Sequence, residues 1–172
     1  AMSNFCVVNL QGCPTSQGYG LDSMLKALPY YDKVKILRLE GWQIDRVSAA
    51  AFVEAVQWQP TKTVTAISLR SCRFIGEETF EHILHGLFLH APHLVQLNVS
   101  YCGLIDRDMI RLAAVLRQHP NIHQLHLGGN TCKTQETVEA MTSWIQDSTC
   151  KLSNLNLRAL WIGFTDEGLV QR

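Results

Sequence analysis

The chain reads as an α/β repeat protein, a stack of strand–helix units. Three observations predict it: an apolar phrase recurs six times, the segments between phrases carry helical periodicity, and a proline closes most units. The phrase runs apolar, two residues, apolar, one residue, apolar, two residues, then Cys, Asn or an apolar residue. Its copies are Phe5-Val8-Leu10-Cys13, Val34-Leu37-Leu39-Trp42, Val64-Ile67-Leu69-Cys72, Leu94-Leu97-Val99-Cys102, Ile122-Leu125-Leu127-Asn130 and Leu152-Leu155-Leu157-Leu160. Successive starts lie 29, 30, 30, 28 and 30 residues apart, a period too narrow to arise easily by chance.

Each phrase predicts a short strand, because alternation as in Leu97-Asn98-Val99 or Leu125-His126-Leu127 puts every second side chain on one face. Helices follow. Met109, Leu112, Ala113 and Leu116 fall at i, i+3, i+4 and i+7, with Asp106 placed to cap the helix. Phe80, Ile83, Leu84 and Leu87 repeat the pattern in the third unit, and Val138, Met141 and Ile145 in the fifth. Pro29, Pro60, Pro92 and Pro120 each precede the next phrase by a few residues, where a proline stops the helix and returns the chain. The fifth unit ends at Thr149-Cys150 instead.

Composition narrows the class. The 172 residues are 47% apolar and 17% charged, enough to bury a core. Fifteen bases balance fifteen acids, which argues against a nucleic-acid coat or a polybasic membrane binder. No apolar run approaches the length of a membrane span, and Met2-Ser3-Asn4-Phe5 does not open like a secretion signal. Ala1 reads as an expression scar. Six cysteines without a CxxC pair suit reduced thiols in a cytoplasmic setting.

Strand, helix and proline at this period resemble the leucine-rich repeat, specifically its ribonuclease-inhibitor-like subclass with a full helix on the outer side. The resemblance spans about Phe5 to Arg172, and the expected organisation is a single domain, residues 2–172, of six units with the last incomplete. Trp42 and Leu160 depart from the Cys or Asn of the pattern. The resemblance implies a curved stack, parallel sheet on the concave side and helices outside, that grips other proteins. Relatives include bacterial effectors delivered into a host cytosol, and the His and Gln content suits one.

Cys13, Cys72, Cys102 and Asn130 occupy the position where the chain turns after the strand and its backbone groups need partners. An inward Asn can bond them across neighbouring units, and a Cys fills the slot as a small, weakly polar residue. A disulfide or thiol-metal site is the alternative, since Cys72 and Cys102 stand about 5 Å apart on adjacent strands. Trp42 interrupts that column, however, and buried thiols are inert. His82 and His85, with Glu78 and Glu81 nearby, and His90 and His93 around Pro92, form no recognised zinc motif and read as solvated surface. His123 and His126 belong on or beside the sheet. Neither a GxSxG elbow, a phosphate loop nor GxGxxG is present. Gly128-Gly129-Asn130 belongs to the repeat's own turn, and the sequon Asn98-Val99-Ser100 is coincidental. No catalytic residue, metal or cofactor is expected.

The surface remains. Outward rows read Asn9, Arg38, Ser68, Asn98, His126, Asn156, then Gln11, Glu40, Arg70, Ser100, Gly128, Arg158, then Gly12, Gly41, Ser71, Tyr101, Gly129, Ala159. With Lys35 this face carries four bases and one acid, leaving eleven bases and fourteen acids elsewhere. A partner is therefore expected on Lys35, Arg38, Glu40, Arg70, Asn98, Tyr101, His126, Asn156 and Arg158, with Trp161 exposed at the concave rim. The expected function is a protein-interaction module for an acidic or elongated partner, without nucleic acid or membrane. The alternative is the substrate-recruiting arm of a larger enzyme or ligase. The sixth helix, opening at Thr165-Asp166-Glu167, is cut short, so Leu155, Leu157 and Leu169 face an open end that invites self-association.

Overall fold

The computed structural model describes residues 7–12, 20–30, 33–58, 63–119 and 121–162. Phe5, Cys13, Pro60, Pro120 and the sixth helix with Leu169 lie outside them. In chain order the elements are β1 (Val7–Asn9), α1 (Leu21–Leu25), a 3-10 turn (Leu28–Tyr30), β2 (Ile36–Arg38), β3 (Gln43–Ile44), α2 (Arg46–Gln57), β4 (Ala66–Ser68), β5 (Arg73–Phe74), α3 (Thr79–His90), β6 (Gln96–Asn98), α4 (Asp106–Arg117), β7 (Gln124–His126), β8 (Thr131–Cys132), α5 (Gln135–Ile145), β9 (Asn154–Asn156) and β10 (Trp161–Ile162).

One residue of each phrase sets the register. Leu37, Ile67, Leu97, Leu125 and Leu155 stand opposite one another, and β1-β2-β4-β6-β7-β9 join into one six-stranded parallel sheet. Each strand is one rung. The side chains of Leu37, Ile67, Leu97 and Leu125 are buried against the helices, and so are Leu39, Leu69, Val99 and Leu127 two residues on. The helices stack in sequence, α1 on α2, α2 on α3, α3 on α4 and α4 on α5. At Gly86 the approach of α3 to α2 is so close that a Cβ would overlap Val53.

Past the strand the backbone swings through a left-handed residue at the same place in five rungs: Gly41, Ser71, Tyr101, Gly129 and Ala159, with φ between 58° and 78°. The swing aims the next residue inward. Cys72 Sγ there donates to Leu39 O (2.7 Å), and Cys102 Sγ to Leu69 O (3.0 Å). Asn130 Nδ2 donates to Val99 O and Leu127 O (both 2.8 Å), while its Oδ1 accepts from the N–H groups of Cys102 and Leu104 (both 3.1 Å). Trp42 does not interrupt this column. It is buried, and its indole Nε1–H donates to Leu10 O at 2.8 Å, the bond the thiols make on later rungs. A ring nitrogen that can only donate meets the same carbonyl as well as a thiol does. The ring passes so close to Gly12 that a Cβ there would overlap it.

Beyond the column, two further parallel pairs form, β3 with β5 and β8 with β10, each only two residues long. The helices then begin. Asp45 caps α2 by accepting from Ser48 N (2.8 Å), and Thr134 caps α5 by accepting from Thr137 N (3.3 Å). Asp106 is not the cap expected for α4: Ile105 holds that position, and Asp108 accepts the Ile105 N–H at 3.2 Å. Asp106 Oδ1 instead accepts from the N–H groups of Lys133 (2.8 Å) and Thr134 (2.9 Å) and from the Thr137 hydroxyl (2.7 Å), all on the next rung. The start of α5 is rich in unsatisfied donors, and a first-turn carboxylate facing sideways satisfies them.

The expected apolar stripes of α3 and α4 are buried throughout. In α5 the stripe shifts: Met141 is buried, Val138 half-buried and Ile145 exposed, while Trp144 takes the inner place. Ile145 lies instead along an apolar groove with Val138, Leu155, Leu157 and Leu160 at the C-terminal end of the described stack.

Candidate functional site

The inner face is the outward side of the six-stranded sheet. Strand pairing aligns Asn9, Arg38, Ser68, Asn98, His126 and Asn156 in one row, as the alternation requires. Lys35, Arg38, Arg70, Asn156 and Arg158 are exposed, and Glu40, Asn98 and His126 are half-buried. Three members of the expected rows are not open: Ser68, Ser100 and Gly128 are buried. They are short residues between longer neighbours, and Ser68 also turns its hydroxyl onto Glu40 Oε1 at 2.7 Å. The two asparagines are partly committed to their own turns, Asn98 Oδ1 accepting from Ser100 N (3.0 Å) and Asn156 Oδ1 from Arg158 N (2.9 Å).

A further row went unread in the sequence. Val7, Ile36, Ala66, Gln96, Gln124 and Asn154 occupy the first strand position and also point away from the core. Its signal lay in the phrase itself, where two residues separate the first and second apolar positions and both stay outside. Gln96 and Gln124 give the middle of this face amide donors and acceptors.

Charge is distributed unevenly between the two faces. Outside, Arg46 pairs with Glu78 (3.8 Å), Arg107 with Glu77 (3.6 Å) and Arg111 with Glu81. Inside, neither Lys35, Arg38, Arg70 nor Arg158 has an acidic partner among the described residues, and the one nearby acid, Glu40, is held by Ser68. Unpaired guanidinium groups on a concavity are ready donors for incoming carboxylates.

Aromatic residues complete the face. Tyr101 is 47% exposed at the left-handed turn, and the Arg70 guanidinium carbon lies 5.4 Å from its ring centroid. Trp161 is 61% exposed, with Lys133 Nζ 5.4 Å from its ring centroid. It stands on β10 opposite Thr131, beyond the turn, so it belongs to the flank of the stack rather than to the concave sheet.

The remaining chemistry is quiet. Cys72 and Cys102 are free and buried, and burial pushes the Cys72 thiol up to about 11 and Cys102 higher still. A thiol kept protonated is a poor nucleophile and a poor metal ligand. His82 and His85 are exposed on α3, where His85 stands 3.8 Å from Glu81. Among the described residues no three His, Cys, Asp or Glu side chains converge closely enough to hold a metal ion, and no helix is long and apolar enough to cross a membrane.

No protein-family model and no curated protein matches the chain in sequence. Solved structures do match in shape. The C-terminal domain of tropomodulin from Caenorhabditis elegans superposes with a TM-score of 0.64 at 10% identity, over 83% of each chain. Leiomodin-1 actin-binding site 2 superposes at 0.60 and 20% identity, over 81% of this chain and 78% of that one. The chain is an α/β leucine-rich-repeat solenoid, with its parallel sheet on the concave face and its helices on the convex face.

Proposed function

We propose that this solenoid is a protein-interaction module that takes an acidic, elongated partner segment along its concave sheet. One observation carries the reading: the inner cations Lys35, Arg38, Arg70 and Arg158 have no acidic partner among the described residues, while Arg46, Arg107 and Arg111 on the outside are paired. Cations left open on a concave sheet lower the cost of binding an acid, because no internal ion pair must break first. The fold supports the same reading, since the leiomodin-1 segment that shares it is named for binding actin, itself a protein. The complete twelve-residue helices α2, α3 and α4 favour the ribonuclease-inhibitor-like form of the repeat.

The test is affinity capture from cytosolic lysate followed by titration calorimetry on the captured protein. Arg70→Glu should weaken binding by on the order of 1–3 kcal/mol without unfolding the chain, and added salt should weaken it further. Arg117→Glu, exposed at the end of α4, is the convex control and should change little. Arg107 is a poorer control, because it pairs with Glu77 and also donates to Glu77 O at 3.2 Å. Equal losses from the concave and convex reversals would overturn the proposal.

A further inference from the structure

The left-handed turn position is held by small residues on the described rungs where it occurs, with one exception. Gly41, Ser71, Gly129 and Ala159 add little or no side chain, whereas Tyr101 carries a full ring at φ 58°. That conformation disfavours a bulky residue, so something must hold it in place. Two neighbours do. Arg70 of the preceding rung lies over the ring, and Gly129 of the following rung leaves the space the ring occupies, since a Cβ there would overlap Tyr101. The guanidinium of Arg70 and the hydroxyl of Tyr101 have no hydrogen-bond or ion-pair partner among the described residues, and both side chains are exposed.

We propose that Arg70, Tyr101 and Gly129 form a prebuilt carboxylate clamp, the anchor for one Asp or Glu side chain of the partner. The clamp rests on the concave-face reading and adds the chemistry of its central contact. A guanidinium fork presents parallel N–H donors that match the two oxygens of a carboxylate, and a phenol adds one O–H donor beside them. Contact with Arg70 and the space at Gly129 position the ring in advance, so binding freezes little additional motion. A nucleic-acid backbone would call for a run of cations at successive phosphates. Here the row through Arg70 continues as Ser100 and Gly128, both buried and uncharged.

The test uses the full chain and a fluorescein-labelled octaglutamate peptide followed by fluorescence anisotropy, with octaglutamine and a thymidine octanucleotide as comparison probes. Octaglutamate should bind and the other two should not. Arg70→Lys, which keeps the charge and loses the fork, should weaken binding about tenfold. Tyr101→Phe should weaken it several-fold while leaving the ring contacts in place. Gly129→Ala should weaken it as well by displacing the ring; should that variant misfold by circular dichroism, Tyr101→Phe and Arg70→Lys still decide. Wild-type affinity in either of those two variants overturns the clamp, as does absence of octaglutamate binding or equal binding of the oligonucleotide. The concave-face reading fails separately, when Arg38→Glu and Arg70→Glu leave capture of the partner protein untouched.

Discussion

Asn130→Ala should be more damaging than truncation of either buried cysteine on the column, Cys72 or Cys102. The side chain is 2% exposed and makes four hydrogen bonds, two given to Val99 O and Leu127 O and two accepted from Cys102 N and Leu104 N. Four neutral bonds at about 1 kcal/mol net each put the loss near 4 kcal/mol, and any backbone group left dry adds to it. Cys102→Ala removes one sulfur and its weak donation to Leu69 O, so about 1–2 kcal/mol is expected from packing. Urea unfolding followed by far-UV circular dichroism measures both. Hydrogen exchange supplies the local signature, because the amides of Cys102 and Leu104 should lose protection in Asn130→Ala. Equal losses from the two truncations would refute the view that Asn130 bonds two rungs while cysteine mainly fills space.

Other outcomes follow from the same structure. With the Cys72 thiol raised to about 11 and Cys102 higher, both should resist alkylation in the folded protein at about pH 8 and react only on unfolding, as peptide mass spectrometry would show. Burial raises the Asp106 carboxyl, but hydrogen bonds from Thr137, Thr134 and Lys133 outweigh it and hold the pKa down to about 2. The unfolded value is about 3.9, so the Asp106 contribution is full above that pH and disappears as pH falls toward the folded value. Acid titration of stability should therefore be flatter for Asp106→Ala than for wild type over that interval; parallel curves would contradict the bonding. Gly86→Ala should destabilise by about 1–3 kcal/mol because a Cβ overlaps Val53, and thermal melting at wild-type temperature would refute it. The apolar groove at Ile145, Leu155 and Leu157 should drive concentration-dependent self-association, against which a monomer at high concentration in sedimentation would count.

Much of this molecule was legible in its sequence, and the exceptions share a cause. The strand rows and the stripes of α3 and α4 follow from local alternation, which a single rung displays by itself. By residue type Trp42 is a break in the column, but by donor capacity it is a member, since its indole reaches Leu10 O, a partner 32 residues away. Asp106 looked like a cap for its own helix, but its strongest claims come from the next rung. The pairs β3–β5 and β8–β10 are two residues long and arise only when neighbouring rungs are stacked. On the inner face, the rows were readable and the state of each charge was not. Only the structure shows Glu40 taken by Ser68, Arg70 over Tyr101 and Trp161 on the flank.

The column also constrains how such a chain can change length. Trp42, Cys72, Cys102 and Asn130 each donate backward to the carbonyl three residues before the preceding column position, at Leu10, Leu39, Leu69 and Val99. An insertion or deletion of one whole period leaves every donor facing a carbonyl of the right kind, whereas a change of a few residues strands one. The gene can therefore gain or lose rungs as interchangeable blocks. Because the inner-face side chains ride on those blocks without taking part in the column, each duplication would copy a strip of recognition surface that is free to diverge.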